Sequence, residues 1–214
     1  MAPRPFENVI TTTEQLREII RPPRPIVADK AIDHIDRHCR SFVERSPFVV
    51  VASSDGSGNV DLSPKGDPAG FVQILDPRTL AIPERPGNHR ADTFTNVLQY
   101  PYVGLFFLVP GVKTTLRVSG QARIVADADL LETMTVTLPG KPESKPPKLA
   151  LVVDVAEAML HCAKCVIRSN LWEPEGHDHD VSDLADAMVD MAKLEFSADE
   201  MREIIEKDQE LNLY

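Results

Sequence analysis

A mainly β protein of the α+β class, an antiparallel barrel with helices at both ends, is what the sequence predicts. Three observations carry that expectation. About six short apolar or alternating runs are separated by turns rich in Gly, Pro, Asp and Asn. Helical patterns lie mostly before and after these runs, which favours an antiparallel array over repeated strand–helix units. No glycine-rich strand-to-helix fingerprint of the dinucleotide or P-loop type is present.

The elements follow in order. Thr11 and Glu14 stand at capping-box spacing, and Leu16, Ile19 and Ile20 supply a short apolar stripe, so a helix opens here. Pro22, Pro23 and Pro25 end it. Asp29 is placed to cap a second helix running to about Phe42, with Ala31, Ile32, Ile35 and Cys39 on its apolar face. Cys39 reads as a small core residue. The period then changes. Residues 48–53 read as a buried strand, 55–59 as a turn and 60–63 as a return strand. Residues 70–75 and 79–82 give two more strands around a turn at Asp76-Pro77. Residues 91–98 look helical and are closed by Pro101. Residues 102–109 are almost wholly apolar, as a central strand is. Residues 114–125 form another strand, with Gly120 as a bend or bulge. Asp127 caps a helix around Leu130, Leu131 and Met134. A Pro/Lys/Gly loop at 139–147 precedes a long strand at 148–160, which alternates through Leu149, Leu151, Val153 and Val155.

Beyond Trp172 the composition shifts to an acidic, His-containing linker at 173–180. Leu184, Met188, Met191 and Leu194 then carry helical spacing, expected to pack on the barrel or on a partner subunit. Ser197 and Glu200 form a second capping box ahead of a last helix through Ile204 and Ile205. The expected division is a barrel with its N-terminal helices over 1–174 and a helical extension over 175–214.

Composition narrows the function classes. Apolar residues make up 43% and charged residues 26% of the 214, an ordinary globular balance. The net charge of −10 argues against nucleic-acid binding through a broad basic surface, while leaving room for a small basic pocket. No apolar run approaches the ~20 residues of a membrane helix, and no signal peptide is visible. Three cysteines do not make a secreted disulfide framework, so a cytoplasmic location is expected.

Three basic segments stand out in this acidic chain: 63–67, 83–93 and Arg117. A phosphate monoester calls for Arg or Lys together with neutral donors, here Ser63, Asn88 and Thr93. Gly and Pro let the backbone come close, and the helix start at 91–93 offers free N–H groups. Ordinary solvated turns would carry the same residue types.

The motifs go further. Ser63-Pro64-Lys65-Gly66-Asp67, the run from Ile82 to Asn96, Tyr100 to Phe107, and Thr115 to Gly120 follow one another in order, and His161-Cys162-Ala163-Lys164 precedes Arg168-Ser169 and Leu171-Trp172. The chain resembles the pyridoxamine 5'-phosphate oxidase-like superfamily of FMN-binding split barrels, and within it a branch distinct from the oxidase proper. The resemblance covers about 48–174. It implies an FMN cofactor and a homodimer with flavin at the subunit interface. It implies that Lys65 binds the flavin, with Asp61, Leu62, Ser63 and Pro64 beside the ring. Asn88, His89 and Arg90 hold the place that grips the phosphate, preceded by Pro83, Glu84 and Arg85 near the ring. Thr115 falls near a flavin-touching position, with Arg117 on the same face, and Trp172 matches a tryptophan contributed by the other subunit. Lys65 and Arg90 would hold the phosphate, and Arg117 or Arg85 would face the anionic reduced ring.

Two departures bear on the reaction. Pro83-Glu84 replace a tyrosine–threonine pair, and Glu173-Pro174-Glu175 follow the tryptophan where the oxidase has an Arg-x-His substrate motif. The expectation is therefore an FMN-dependent oxidoreductase that transfers hydride at flavin N5 from another small organic substrate. A non-catalytic flavin binder, or a haem or deazaflavin protein on the same fold, is the alternative. No metal site is expected: Cys162 and Cys165 lack a second ligand pair and would face opposite sides of an extended strand unless a turn intervenes. His177 to Asp180 reads as a solvated linker.

Overall fold

The computed structural model describes residues 4–136, 145–173, 175, 177 and 181–212. The chain falls into two compact units, residues 1–31 and 32–214.

In the first unit lie α1 (Thr13–Ile19) and α2 (Pro25–Ala28). Thr12, not Thr11, is the N-cap of α1 and accepts from the Gln15 amide at 3.3 Å. Gln15 reaches back to the Thr11 amide at 2.9 Å, so the expected capping pair is displaced by one residue. Pro25 starts α2, where its missing N–H interrupts no helical hydrogen bond. Asp29 closes α2 instead of opening a longer helix.

The second unit begins with Ile32. Its amide donates to Ala158 and its carbonyl accepts from the Ala158 amide, at 3.0 and 2.7 Å. This bridge takes up backbone groups that a helix would have used, and corrects the expected helix from Asp29 to Phe42. Only α3 (Arg37–Val43) forms, capped by Asp36, which accepts from the His38 and Cys39 amides at 2.9 and 2.8 Å. Cys39 is buried in the core as expected.

Seven strands follow: β1 (Phe48–Ser54), β2 (Val60–Gly66), β3 (Gln73–Asp76), β4 (Thr79–Pro83), β5 (Tyr102–Leu108), β6 (Thr115–Val125) and β7 (Ala150–His161). They form one sheet in the order β2-β1-β5-β6-β7-β4-β3, with every neighbouring pair antiparallel. Two expected boundaries move. The second strand runs on through Pro64, Lys65 and Gly66, because an edge position tolerates a proline on its unpaired side. The third starts at Gln73; Phe71 and Val72 are buried outside it. One face of the sheet is the core, built from Val49 and Val51 of β1, Val103, Leu105 and Phe107 of β5, and facing residues of β4, β6 and β7.

Helices α4 (Asp92–Gln99), α5 (Ala128–Thr133), α6 (Lys164–Ser169), α7 (Leu184–Ala192) and α8 (Ala198–Asn212) complete the described chain. The Ser197–Glu200 capping box forms as expected, with Glu200 accepting from the Ser197 amide at 2.8 Å. The stripe on α7 is largely open to solvent: Leu184 is 61% and Met191 84% exposed. Arg202 of α8 joins it to α7 through Asp183 at 2.8 Å. Among the described residues no helix is long and apolar enough to cross a membrane.

The bulge expected at Gly120 is present, as a register shift between Ser119 and Gly120 in the β6–β7 ladder. A Cβ there would lie 2.0 Å from the Asp154 carbonyl oxygen, which is backbone and cannot yield. Gly120→Ala should therefore lose about 3 kcal/mol or more of stability in chemical denaturation. Gly66→Ala, whose Cβ would meet nothing nearer than 3.6 Å, should change it little.

Candidate functional site

Alternation along β2 divides the expected site residues between two faces. Asp61, Ser63 and Lys65 stand opposite Ser53, Val51 and Val49, on the core side of the sheet. Leu62 and Pro64 stand opposite Ala52 and Val50, on the outer side. Arg117 pairs with Phe106, itself paired with Val50, so Arg117 and Thr115 also belong to the outer side.

Where β2 ends, at the edge of the sheet, the chain makes a cleft of about 280 Å³. Ser63, Pro64, Lys65 and Gly66 form one wall, and Pro83, Arg85, Pro86, Gly87 and Asn88 form the other, with Phe71 between them. Six of the fourteen residues expected at the site thus meet in one place. Gly66, Phe71, Pro86 and Gly87 were missed; all lie within or beside the segments singled out, and only the folded chain reveals their part.

Two interactions set the geometry. Arg85 donates from Nε to Oδ2 of Asp67 at 2.6 Å and from Nη2 to the Met134 carbonyl at 2.9 Å. The Asp67 side chain is fully buried and that of Arg85 only 15% exposed, so the pair ties the end of β2 to the segment after β4. Lys65 is the other charged group. Burial pushes its ammonium below the ordinary value of 10.5, against the opposing pull of the Glu84 and Asp61 carboxylates. The cleft thus holds a desolvated cation with a hydroxyl and a carboxamide on its walls, a donor set suited to an anion.

The remaining residues lie elsewhere. Glu84 continues the ladder by donating its amide to Leu149 at 2.9 Å. His89 and Ala91 adopt left-handed backbone with φ of 57° and 54°, which turns the loop into α4. Arg90 is exposed and donates to Asp92 at 2.7 Å, away from the cleft walls. Thr115 is fully buried with an unpartnered hydroxyl. Trp172 donates from its indole N–H to the Val112 carbonyl at 2.9 Å. Cys162 and Cys165 are both exposed, and the start of α6 at Lys164 supplies the intervening turn. His177 meets the Asn170 carbonyl at 2.9 Å, whereas Asp178, His179 and Asp180 lie outside the described residues. No group of three metal-ligating side chains occurs among the described residues.

A family model described as pyridoxamine 5'-phosphate oxidase matches residues 35–162. The chain belongs to that family, and its antiparallel seven-stranded sheet with helices is the split barrel of the α+β class. No curated protein matches the sequence. Among solved structures, HupZ of Group A Streptococcus is 17% identical over 59% of this chain and 93% of that chain, with a TM-score of 0.47. An FMN-binding protein from Syntrophomonas wolfei is 12% identical over 57% and 88%, at 0.42. A protein related to general stress protein 26 from Clostridium acetobutylicum is 14% identical over 58% and 85%, at 0.42.

Removing one partner of the buried pair leaves an uncompensated charge. Asp67→Ala should lower stability by about 3–5 kcal/mol in denaturant titrations. Arg90→Ala, which opens only an exposed pair, should leave it unchanged.

Proposed function

From membership of that family and the geometry of the cleft, we propose that the chain binds FMN, with the phosphate end of the cofactor at Lys65. The observation that carries this reading is the convergence of Lys65, Ser63 and Asn88, from two distant segments, around one partly buried and incompletely compensated positive charge. A dianionic phosphate suits that charge, and the Ser63 hydroxyl and Asn88 carboxamide suit its oxygens. A cleft of about 280 Å³ lies near the lower end of the roughly 300–1,000 Å³ of ordinary ligand pockets. One protomer therefore accommodates part of a cofactor of this size, and a homodimer with flavin at the subunit interface completes the site.

The chain's own residues then have separable roles. Lys65 offsets phosphate charge. Arg85, committed to Asp67 and Met134, positions the wall that carries Asn88 and does not itself reach for the ligand. Bound FMN would supply the hydride acceptor for an oxidoreductase acting on a small organic substrate. The commitment of Arg85, one of the two cations expected beside the reduced ring, favours a second reading: flavin binding without turnover. Reduction by NADH or NADPH followed by reoxidation, measured under steady-state conditions, separates the two.

Titration of FMN, followed by its fluorescence, tests the assignment. Lys65→Met should weaken binding tenfold or more while raising the Tm of the FMN-free chain by roughly 2–4 °C, the shift that about 1 kcal/mol gives a chain of this size. Unchanged affinity would remove Lys65 from the site. The pH dependence follows the same logic. Because the folded state holds the Lys65 pKa below its unfolded value, the FMN-free chain carries a penalty below that lowered value. Stability gains as the pH climbs from there towards 10.5. FMN affinity falls over the same rise, since the phosphate prefers the charged lysine. Both dependences should flatten in Lys65→Met.

A further inference from the structure

Two side chains with no part in the cleft, Cys162 and Cys165, are brought together where β7 gives way to α6. The strand ends at His161 and the helix starts at Lys164. Cys162 lies in the turn between them, and Cys165 is the second residue of the helix. In an extended chain residues three apart face opposite sides. Here Ala163 takes φ −71° and ψ −5°, and Lys164 is already helical. Two successive residues in this backbone region fold the chain as a type I turn does, which brings the Cα atoms on either side within about 7 Å. A disulfide spans Cα separations of about 4.4–6.8 Å, so the turn holds the two cysteines at a distance that a bond between them can bridge.

Access sets the pair apart from the third cysteine. Cys162 and Cys165 are both exposed, whereas Cys39 is only 3% exposed. Desolvation pushes the Cys39 thiol up to about 11, so it forms little of the reactive thiolate at neutral pH. Among the described residues no third metal-ligating side chain joins the pair, which leaves thiol chemistry rather than zinc ligation as its use. We propose that Cys162 and Cys165 form a reversible dithiol–disulfide centre that exchanges with low-molecular-weight disulfides such as glutathione disulfide. One cysteine thiolate attacks a sulfur of the incoming disulfide, forms a mixed disulfide and expels one small thiolate. The other cysteine thiolate then attacks the protein sulfur of that mixed disulfide, closes the Cys162–Cys165 bond and expels the second small thiolate. The pair gives up two electrons and two protons, and the small disulfide is reduced to two thiols. Because the second cysteine is already one turn away, the closing step is intramolecular and empties the mixed disulfide as it forms. No residue of the Lys65 cleft takes part, so this centre stands or falls independently of FMN binding.

The test uses the full chain, first reduced, then exposed to glutathione disulfide at neutral pH, quenched with acid and read by intact mass and peptide mapping. Wild type should end with one internal disulfide between Cys162 and Cys165, with Cys39 still reduced and no glutathione attached. Dithiothreitol should restore both thiols. Cys162→Ser and Cys165→Ser should each stop at the mixed disulfide and hold glutathione at least about tenfold longer than wild type, since the closing thiol is gone. Both positions are exposed, so the substitutions leave the core intact, and far-UV circular dichroism checks that the variants are folded. A wild-type chain that accumulates glutathione on both cysteines, keeps both thiols free, or links through them to a second chain would overturn the centre. So would a serine variant that sheds glutathione as fast as wild type.

Discussion

The flavin site proposed for this protein depends on bringing together two segments that the strand order keeps apart. β2 sits at one edge of the sheet, and β4 lies five places along from it. The sheet curls enough for their ends to meet, and the buried Asp67–Arg85 pair joins them there. Such a pair is costly to desolvate and contributes little net stability over a well-packed apolar substitute. Its value lies in direction: a guanidinium held by a carboxylate and a carbonyl fixes the path of residues 85–88 across from Lys65.

The period of a strand explains how one short segment serves two purposes. In β2 every second side chain, Ser63 and Lys65 among them, turns to the core side, and the others turn outwards, where Leu62 extends an apolar strip. A register slip of one residue would exchange the two sets, placing Lys65 on the open face and Leu62 on the core side. Burial on the core side of β1 opposes that slip, because Val49 and Val51 are fully enclosed. Packing of the core thereby sets the chemistry of both faces.

Much of this was readable from the chain alone, for identifiable reasons. β1, β5, β6 and β7 announce themselves by apolar runs, and Gly120 by its place inside one of them. The motifs around Lys65 and Asn88 pointed to two segments that line one cleft. What escaped were relations over long distances. The helix expected from Asp29 fails because Ile32 pairs with Ala158, a competitor invisible in local pattern. Arg85 looked like a free cation for a ligand, and only tertiary structure gives it Asp67 as a partner. Likewise Leu62 and Lys65 looked like one site, until register placed them on opposite faces.

The central claim, that this split barrel holds FMN at the Lys65 cleft, is tested most directly by the visible absorption spectrum of freshly purified protein, with any chromophore released by heat and identified. The account predicts the two-band spectrum of an oxidised flavin and the release of FMN. A Soret band would contradict it, and so would a colourless protein that takes up no added FMN.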